Sequence, residues 1–252
     1  PFYSIKVESG KNIGVVDSLE QVIAYIEDRG VIASLPYLVA GKATADKESY
    51  LWKTWFTALS EENAGIDKKG VFVQKGKPVI ITLHGGGILA SDRIRQAYAE
   101  GLTSDGATKY ADEEFANLLK GVLPSGEHIQ IYSLEDVQHG RIADPFGRYA
   151  VALDFKTAKE TPSGHQPKRA FMENPLVHVR VGKLDHLESY FEKAKSNNKV
   201  GNWHRFPEDV REPQGRVLFV GNDYFGLLGN FDLSVDGRFV GVAPEAPRAK
   251  FP

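Results

Sequence analysis

The sequence contains no cysteine among its 252 residues. This absence excludes disulfide-stabilised scaffolds, thiolate metal centres, iron–sulfur clusters and cysteine nucleophiles, and it removes the usual indicator of redox compartment. Methionine is almost as scarce, because Met172 is the only one and the chain begins at Pro1. We therefore expect either removal of an initiator or processing of a longer precursor. No signal-peptide pattern is visible at the start, so a cytoplasmic location is expected.

Long apolar runs and an excess of one charge are also missing. No segment approaches the roughly 20 apolar residues that a membrane helix needs, and the longest candidate, residues 31–41, is interrupted by Pro36. The 31 basic and 33 acidic residues give a formal net charge of −2, which provides no strong field to attract nucleic acid or anionic membranes. The sequence therefore predicts a protein that binds neither a membrane nor nucleic acid.

Hydrophobic periodicity predicts a mixture of helices and strands. Amphipathic helices are predicted over residues 18–29 and 184–195, with further helices over 46–60, 91–101 and 107–119. Alternation predicts strands, and residues 31–40 are interpreted as a buried extended segment. The predicted strands cover residues 2–7, 71–73, 79–83, 128–133, 148–155, 176–181 and 216–221.

The end of the chain is rich in strand-forming residues and glycine. It predicts a short antiparallel meander with turns at residues 229–230 and 236–237, followed by an extended proline-rich tail over 244–252 that lies on its own or a partner's surface. The predicted fold class is α+β, or α/β with an antiparallel extension, with a mixed sheet flanked by helices. We predict one domain over 1–252, with a possible division into 1–155, a loop or linker over 156–172, and a β-rich part over 173–252.

The segment HGGG, formed by His84, Gly85, Gly86 and Gly87, follows a predicted strand and precedes a predicted helix. Glycines at such a place let backbone N–H groups approach an anion or oxyanion. The letters resemble the oxyanion-hole motif of the lipase and esterase branch of the α/β-hydrolases. That branch also requires a GxSxG nucleophile segment, which this sequence lacks, so the family is not assigned. We predict that the three glycines bind substrate.

Histidines and charged residues suggest a second part of the same pocket. There is no HExxH or HxH motif, so any metal must be bound by distant residues that converge in space. The segment DVQHGRIADPFGR lies between two predicted strands. It combines residues that can transfer protons with residues of fixed charge, a combination that suits acid–base catalysis on an anionic substrate. His84, His139 and Asp144 are predicted metal ligands. The predicted catalytic residues are His84, His139, Asp144 and Arg141, and Arg148 is predicted to bind substrate.

Two functions from different classes follow. In the first, the protein is an enzyme, a hydrolase of a small anionic or ester substrate, assisted by a divalent metal ion in a pocket between the HGGG and DVQHGRIADPFGR segments. In the second, it is a non-catalytic assembly or binding module. A homo-oligomer is expected in either case. A cluster of histidine and carboxylate in a concave pocket would favour the enzyme, whereas scattered histidines would favour the module.

Overall fold

The computed structural model describes residues 2–7, 14–26, 30–233 and 236–242 of the chain. Within these ranges, strands and helices are interspersed, and none of the helices is both long and apolar enough to cross a bilayer. The strands are β1 Phe2–Val7, β2 Val31–Ile32, β3 Phe56–Asp67, β4 Lys77–His84, β5 Thr108–Lys109, β6 Gln130–Ser133, β7 Tyr149–Asp154, β8 Gly164–Pro167, β9 Lys199–His204, β10 Gln214–Val220, β11 Leu227–Gly229 and β12 Gly237–Val242. The α-helices are α1 Gly14–Ile26, α2 Leu35–Thr44, α3 Tyr50–Lys53, α4 Ser91–Glu100, α5 Asp112–Leu118, α6 Leu134–Gln138, α7 Phe155–Glu160, α8 Lys168–Met172, α9 Pro175–Val181 and α10 Leu187–Ala194, and two 3-10 helices cover Leu184–His186 and Asp223–Phe225.

One large mixed sheet organises the structure. Its strand order is β6-β7-β4-β3-β10-β11-β9-β8, and β5 pairs with the end of β10. The pairs β3–β4, β4–β7 and β3–β10 are antiparallel, whereas β6–β7 and β9–β11 are parallel. Apolar residues from the sheet pack against helices in three buried clusters. The predicted α+β class, a mixed sheet flanked by helices, is confirmed.

A smaller sheet joins the two ends of the described chain. Strand β12 lies between β1 and β2 and is antiparallel to both. It is also linked to the large sheet, because the backbone N–H of Arg238 donates to Thr57 Oγ1 at 3.0 Å. At the end of the chain β10 and β11 form an antiparallel pair, but β12 leaves their sheet and pairs with β1. Residues 244–252, for which an extended arm is predicted, lie outside the described residues.

Several local predictions are confirmed by the secondary structure. The helix predicted at 91–101 is α4 Ser91–Glu100, and the strands predicted at 128–133 and 148–155 are β6 and β7. The helix predicted at 184–195 begins as a 3-10 turn and continues as α10, in which Leu187 and Phe191 are buried. The helix predicted at 18–29 is α1, with Leu19 and Val22 buried. The Ile26 side chain and residues 27–29 lie outside the described part.

The helix predicted at 46–60 is wrong. Residues 50–53 form a single helical turn, and the chain then enters β3, the longest strand of the large sheet. β3 is buried on both faces, and its interior includes Ser60, Glu61, Glu62 and Asn63. Of the apolar residues in this segment, Leu51 and Trp52 lie in α3, whereas Phe56 and Leu59 lie in the central strand β3. Because both faces are covered, the expected alternation of polar and apolar residues is absent.

The strand predicted at 176–181 is also wrong, because these residues form α9. Asn174 caps this helix, and its Oδ1 accepts N–H groups from Leu176 at 2.9 Å and Val177 at 3.1 Å. Pro175 occupies the first helical position, which suits its fixed backbone angle. Residues 176–181 are all buried. Because the polar His178 and Arg180 are buried together with the apolar residues, polarity does not mark an exposed face of α9 and its sequence does not show a helical period.

Two further segments also differ from the predictions. Residues 31–40 are interpreted as extended, but only Val31–Ile32 form a strand, and residues 35–44 form α2 with Pro36 in its first turn. The segment at 156–172, predicted as a loop or linker, contains most of α7 and all of β8 and α8. The Asp154 side chain caps α7 by accepting the N–H of Thr157 at 2.9 Å. In both cases a capping or proline signal at the helix start predicts the element better than the average polarity of the segment does.

Candidate functional site

The imidazole of His84 lies at the end of β4 and is fully buried. Its Nδ1 is 2.9 Å from Ser60 Oγ, and its Nε2 is 3.0 Å from the carbonyl oxygen of Val179. Burial lowers the pKa of His84 to about 4, so the ring is neutral near pH 7. Because both ring nitrogens are occupied by protein partners, His84 joins β4 to β3 and α9.

The other predicted catalytic residues lie on exposed turns. His139 ends α6 and its Nδ1 is 2.8 Å from the carbonyl oxygen of Glu135. Arg141 is 3.3 Å from Asp136. Asp144 accepts a hydrogen bond from the backbone N–H of Phe146 at 3.1 Å and so stabilises the turn in which it lies.

These residues do not form the predicted metal centre. His84 is sealed in the interior, whereas His139 and Asp144 belong to the turns that follow α6. Across the described ranges, no three or more histidine and carboxylate side chains converge in a way that could hold a metal ion. The metal-binding prediction for His84, His139 and Asp144 is corrected on this geometry.

The predicted substrate-binding residues do come together. Gly85, Gly86, Gly87 and Arg148 line one groove of about 510 Å³, which we call the glycine groove. The aliphatic part of Arg148 packs on Gly85, where an added Cβ would lie 2.7 Å from Arg148 Cγ. Arg148 also forms an ion pair with Glu127. None of the four predicted catalytic side chains lines this groove.

One glycine of the loop makes room for a carboxylate of the protein itself. An added Cβ at Gly87, whose φ is +95°, would overlap the Glu61 carboxylate. Glu61 is fully buried and accepts the N–H of Ile88 at 2.8 Å, the hydroxyl of Tyr110 at 3.0 Å and the amide of Asn63 at 3.0 Å. Burial raises the pKa of Glu61 to about 7 despite these donors. Gly87 therefore serves an internal contact, and Gly86 is the glycine of the three whose Cβ position is open, with Leu123 at 3.6 Å.

A second concave surface lies where β10 leads into the 3-10 turn and β11. We call it the aromatic cleft. It encloses about 520 Å³, and it is lined mostly by aromatic side chains together with two polar residues. The walls include Trp55, Phe219, Phe225, Leu228 and Phe231, and Asn222 and Asp236 are the polar lining residues.

Rings around the cleft contact one another, and two of those that line it are exposed to solvent. Phe225 is 46% exposed and Phe231 is 43% exposed. Phe231 packs edge-on against Phe219, with centroids 5.6 Å apart, and Tyr224 stacks on Phe225 at 4.9 Å. His165 extends the aromatic surface, with its ring 5.1 Å from that of Tyr224. Exposed aromatic rings therefore gather beside the turn between β10 and β11.

Backbone contacts hold the turn that carries these rings. The N–H of Gly221 donates to the carbonyl of Gly226 at 2.8 Å and closes the turn. Gly226 has a φ of +72°, and its Cα packs so closely on Gly201 that a Cβ would overlap that backbone. Asp223 adopts a φ of +46° and pairs with Lys47 at 2.5 Å. The turn is thus positioned by its backbone and by Asp223, and not by the exposed aromatic rings.

The sequence analysis missed the aromatic cleft. The segment GNDYFG places two adjacent aromatic residues between glycines in a turn. Aromatic residues at a turn have no strand or helix face to bury them, so this pattern is a usable signal for an exposed interaction surface. Trp55, by contrast, lies 164 residues before Phe219, and only the pairing of β3 with β10 brings them together.

Comparison with known proteins gives one informative similarity. A solved structure described as "Accommodation of massive sequence variation in Nanoarchaeota by the C-type lectin fold" superposes with a TM-score of 0.70 and 26% sequence identity, covering 96% of this chain and 97% of that chain. No protein-family model and no curated protein matches the sequence.

This similarity overturns the predicted hydrolase function. A C-type lectin fold points to a non-catalytic binding module, and the predicted catalytic side chains neither meet nor line the groove next to them. The alternative that the sequence analysis kept open, a binding module, is the better supported of the two.

Proposed function

We propose that the protein is a non-catalytic binding module that recognises a partner protein through the aromatic cleft. The observation that carries this proposal is the group of exposed rings on Tyr224, Phe225 and Phe231. Grouped apolar side chains at a protein surface are typical of interaction sites, and aromatic residues are enriched at such interfaces. The similarity to a C-type lectin fold supports the same class of function.

The form of the cleft indicates what the partner presents. Its volume of about 520 Å³ has room for one or two bulky apolar side chains. Trp55, Phe219 and Phe225 would contact such a side chain on its faces and edges. Asn222 and Asp236, which also line the cleft, can provide polar contacts to the partner's backbone beside that side chain. We therefore expect an aromatic or aliphatic anchor flanked by polar groups, which is the usual arrangement of an interface hot spot.

The same surface is suited to variation in its sequence. The similar solved structure is described as accommodating massive sequence variation. In this chain Tyr224, Phe225 and Phe231 lie outside the β-strands, while the turn is closed by the backbones of Gly221, Gly226 and Gly201. Replacing these exposed rings would therefore leave the sheet intact and change only the recognised partner.

Selection from a random peptide library displayed on phage, with the purified protein immobilised, tests the proposal. We expect enrichment of peptides that carry aromatic or large aliphatic residues. Selected synthetic peptides should bind the wild-type protein and lose at least roughly tenfold in affinity, about 1.4 kcal/mol, with the Phe225→Ala/Phe231→Ala variant. Both side chains are exposed, so the variant should unfold at nearly the same temperature as the wild type.

The matched control is Val71→Ala/Phe72→Ala, which removes two exposed apolar side chains from the loop between β3 and β4. It should leave peptide affinity unchanged. The proposal fails if no peptide is enriched, or if enriched peptides bind both double variants equally well. Light scattering on the same proteins tests the expected homo-oligomer: a mass that falls to the monomer only in the Phe225→Ala/Phe231→Ala variant would mean that the cleft binds a second copy of the chain instead.

A further inference from the structure

We propose that the glycine groove is a second, non-catalytic binding site, and that it takes a small amphipathic molecule with an apolar body and one carboxylate. The groove is separate from the aromatic cleft, and the two share no lining residue. Its volume of about 510 Å³ lies within the range of small-molecule sites, roughly 300–1,000 Å³. The ligand class follows from the two chemically different parts of the groove wall.

Most of the wall is apolar and comes from six parts of the chain. Such a surface favours a hydrocarbon chain or ring. A sugar or a nucleotide is disfavoured, because its many polar groups need hydrogen-bond partners. The apolar lining residues are Ile23, Val31, Ile32, Leu59, Leu89, Leu123 and Phe146.

One polar group in the wall has no partner. Ser34 is only 3% exposed, lines the groove, and its Oγ makes no hydrogen bond within the described structure. It precedes α2 at the N-cap position but makes no capping bond. A buried hydroxyl without a partner costs about 1–3 kcal/mol. A ligand oxygen in the groove would accept the hydrogen bond that Ser34 does not otherwise make.

The N-terminus of α4 opens onto the same groove. Ala90 is the N-cap and Ser91 the first helical residue, and both line the groove. The first N–H groups of a helix have no partner within the helix, and together with the helix dipole they attract an anion. Ala90 has no side chain that could cap them. The N-terminus of the ten-residue helix α4 therefore presents backbone donors to a negatively charged group.

Among the described residues that line the groove, Arg148 is the one cation, and this limits the charge of the ligand. Arg148 lines the groove, its side chain is 54% exposed, and its guanidinium is already paired with Glu127. One shared guanidinium and one helix terminus suit a monoanion, whereas a phosphate dianion would face the negative charge of Glu127 with too little compensation. A carboxylate is therefore the favoured head group. The Ser34 hydroxyl makes no hydrogen bond to a basic group that could activate it as a nucleophile, which favours a role in binding.

Isothermal titration with octanoate tests this site, with methyl octanoate, octylamine, octyl phosphate and inorganic phosphate as separate arms. Octanoate should bind, and octyl phosphate should bind more weakly. Methyl octanoate, octylamine and inorganic phosphate should show no saturable binding. Ser34→Ala and Arg148→Gln should each weaken octanoate binding roughly tenfold. Arg141→Gln is the matched control, because Arg141 is an exposed arginine of the same segment that does not line the groove.

Ser34→Ala should also unfold at the same or a slightly higher temperature than wild type, because it removes an unpartnered hydroxyl. The proposal is overturned if methyl octanoate binds as well as octanoate, if octyl phosphate binds more tightly than octanoate, or if neither Ser34→Ala nor Arg148→Gln changes the affinity. The Phe225→Ala/Phe231→Ala variant should keep full octanoate binding. Its peptide binding and its octanoate binding therefore report separately on the two sites.

Discussion

Arg180 on α9 and Glu62 on β3 form a buried ion pair through two hydrogen bonds, at 2.7 Å and 2.8 Å. Their side chains are 0% and 2% exposed. The same guanidinium donates to Asn202 Oδ1 at 2.5 Å and to the carbonyl of Trp203 at 3.0 Å. Gly229 of β11 lies against the pair, where an added Cβ would be 2.9 Å from Glu62 Oε2. The pair therefore joins α9, β3 and β9 directly beneath the strand that follows the aromatic turn.

Removing one partner of this pair should be severely destabilising. We expect Glu62→Gln or Arg180→Met to lower the free energy of unfolding by about 3–5 kcal/mol, because each leaves an uncompensated buried polar group or charge. The double variant Glu62→Leu/Arg180→Met should lower the free energy of unfolding by less than the sum of the two single-variant decreases. Urea denaturation measures all of these values. Strictly additive losses would show that the two side chains do not act as a pair.

Glu61 should make stability fall as pH rises. Its folded pKa of about 7 lies above its ordinary value of 4.5, so the folded state binds more protons than the unfolded state between these values. The stabilisation that results from the raised pKa of Glu61 is fully present below pH 4.5 and is lost as the pH rises through 7. At about 1.4 kcal/mol per pKa unit, the loss is on the order of 3 kcal/mol. The unfolding free energy of Glu61→Gln, minus that of wild type, should therefore increase from pH 4.5 to pH 7; a constant difference would contradict the assigned pKa.

His84 should act in the opposite direction over nearly the same range. Its folded pKa of about 4 lies below its ordinary value of 6.5, so the unfolded state binds the additional proton. The contribution is present above pH 6.5 and is lost as pH falls towards 4. Because it opposes Glu61 between pH 4.5 and 6.5, we expect the His84→Asn variant to lose stability more steeply with rising pH than wild type does. Identical pH slopes in thermal unfolding would contradict this.

Gly87 of the HGGG segment should tolerate alanine less well than Gly140, a glycine with open space beside it. Gly87→Ala brings a Cβ onto the Glu61 carboxylate and also forces a left-handed backbone on alanine. Gly140, at φ +64° with no atom near its Cβ position, carries the backbone penalty alone. We expect Gly140→Ala to cost about 1–2 kcal/mol and Gly87→Ala clearly more, measured by urea unfolding. Equal decreases in the free energy of unfolding would mean that the Glu61 side chain can move away from the new Cβ without loss of stability.

The glycine loop shows how much of a site a sequence can predict. Three glycines between a strand and a helix predict a close backbone approach, and Gly85, Gly86, Gly87 and Arg148 do line one groove. The sequence does not show which atoms approach Gly87, because Glu61 is on another strand. Nor does it show that His84 faces inward, since that orientation depends on Ser60 and Val179.

The sequence by itself determined the α+β class, the absence of thiol chemistry and the positions of α4 and α10, because composition and local periodicity depend only on neighbouring residues. The tertiary structure decided the rest. Burial on both faces makes β3 a strand although its apolar spacing resembles a helix, and burial all round makes α9 a helix although its residues alternate. The aromatic cleft exists only because β3 and β10 pair, which brings Trp55 next to Phe219, with ring centroids 6.1 Å apart. Contacts between distant segments leave no pattern in the local sequence, so they cannot be predicted from a single sequence.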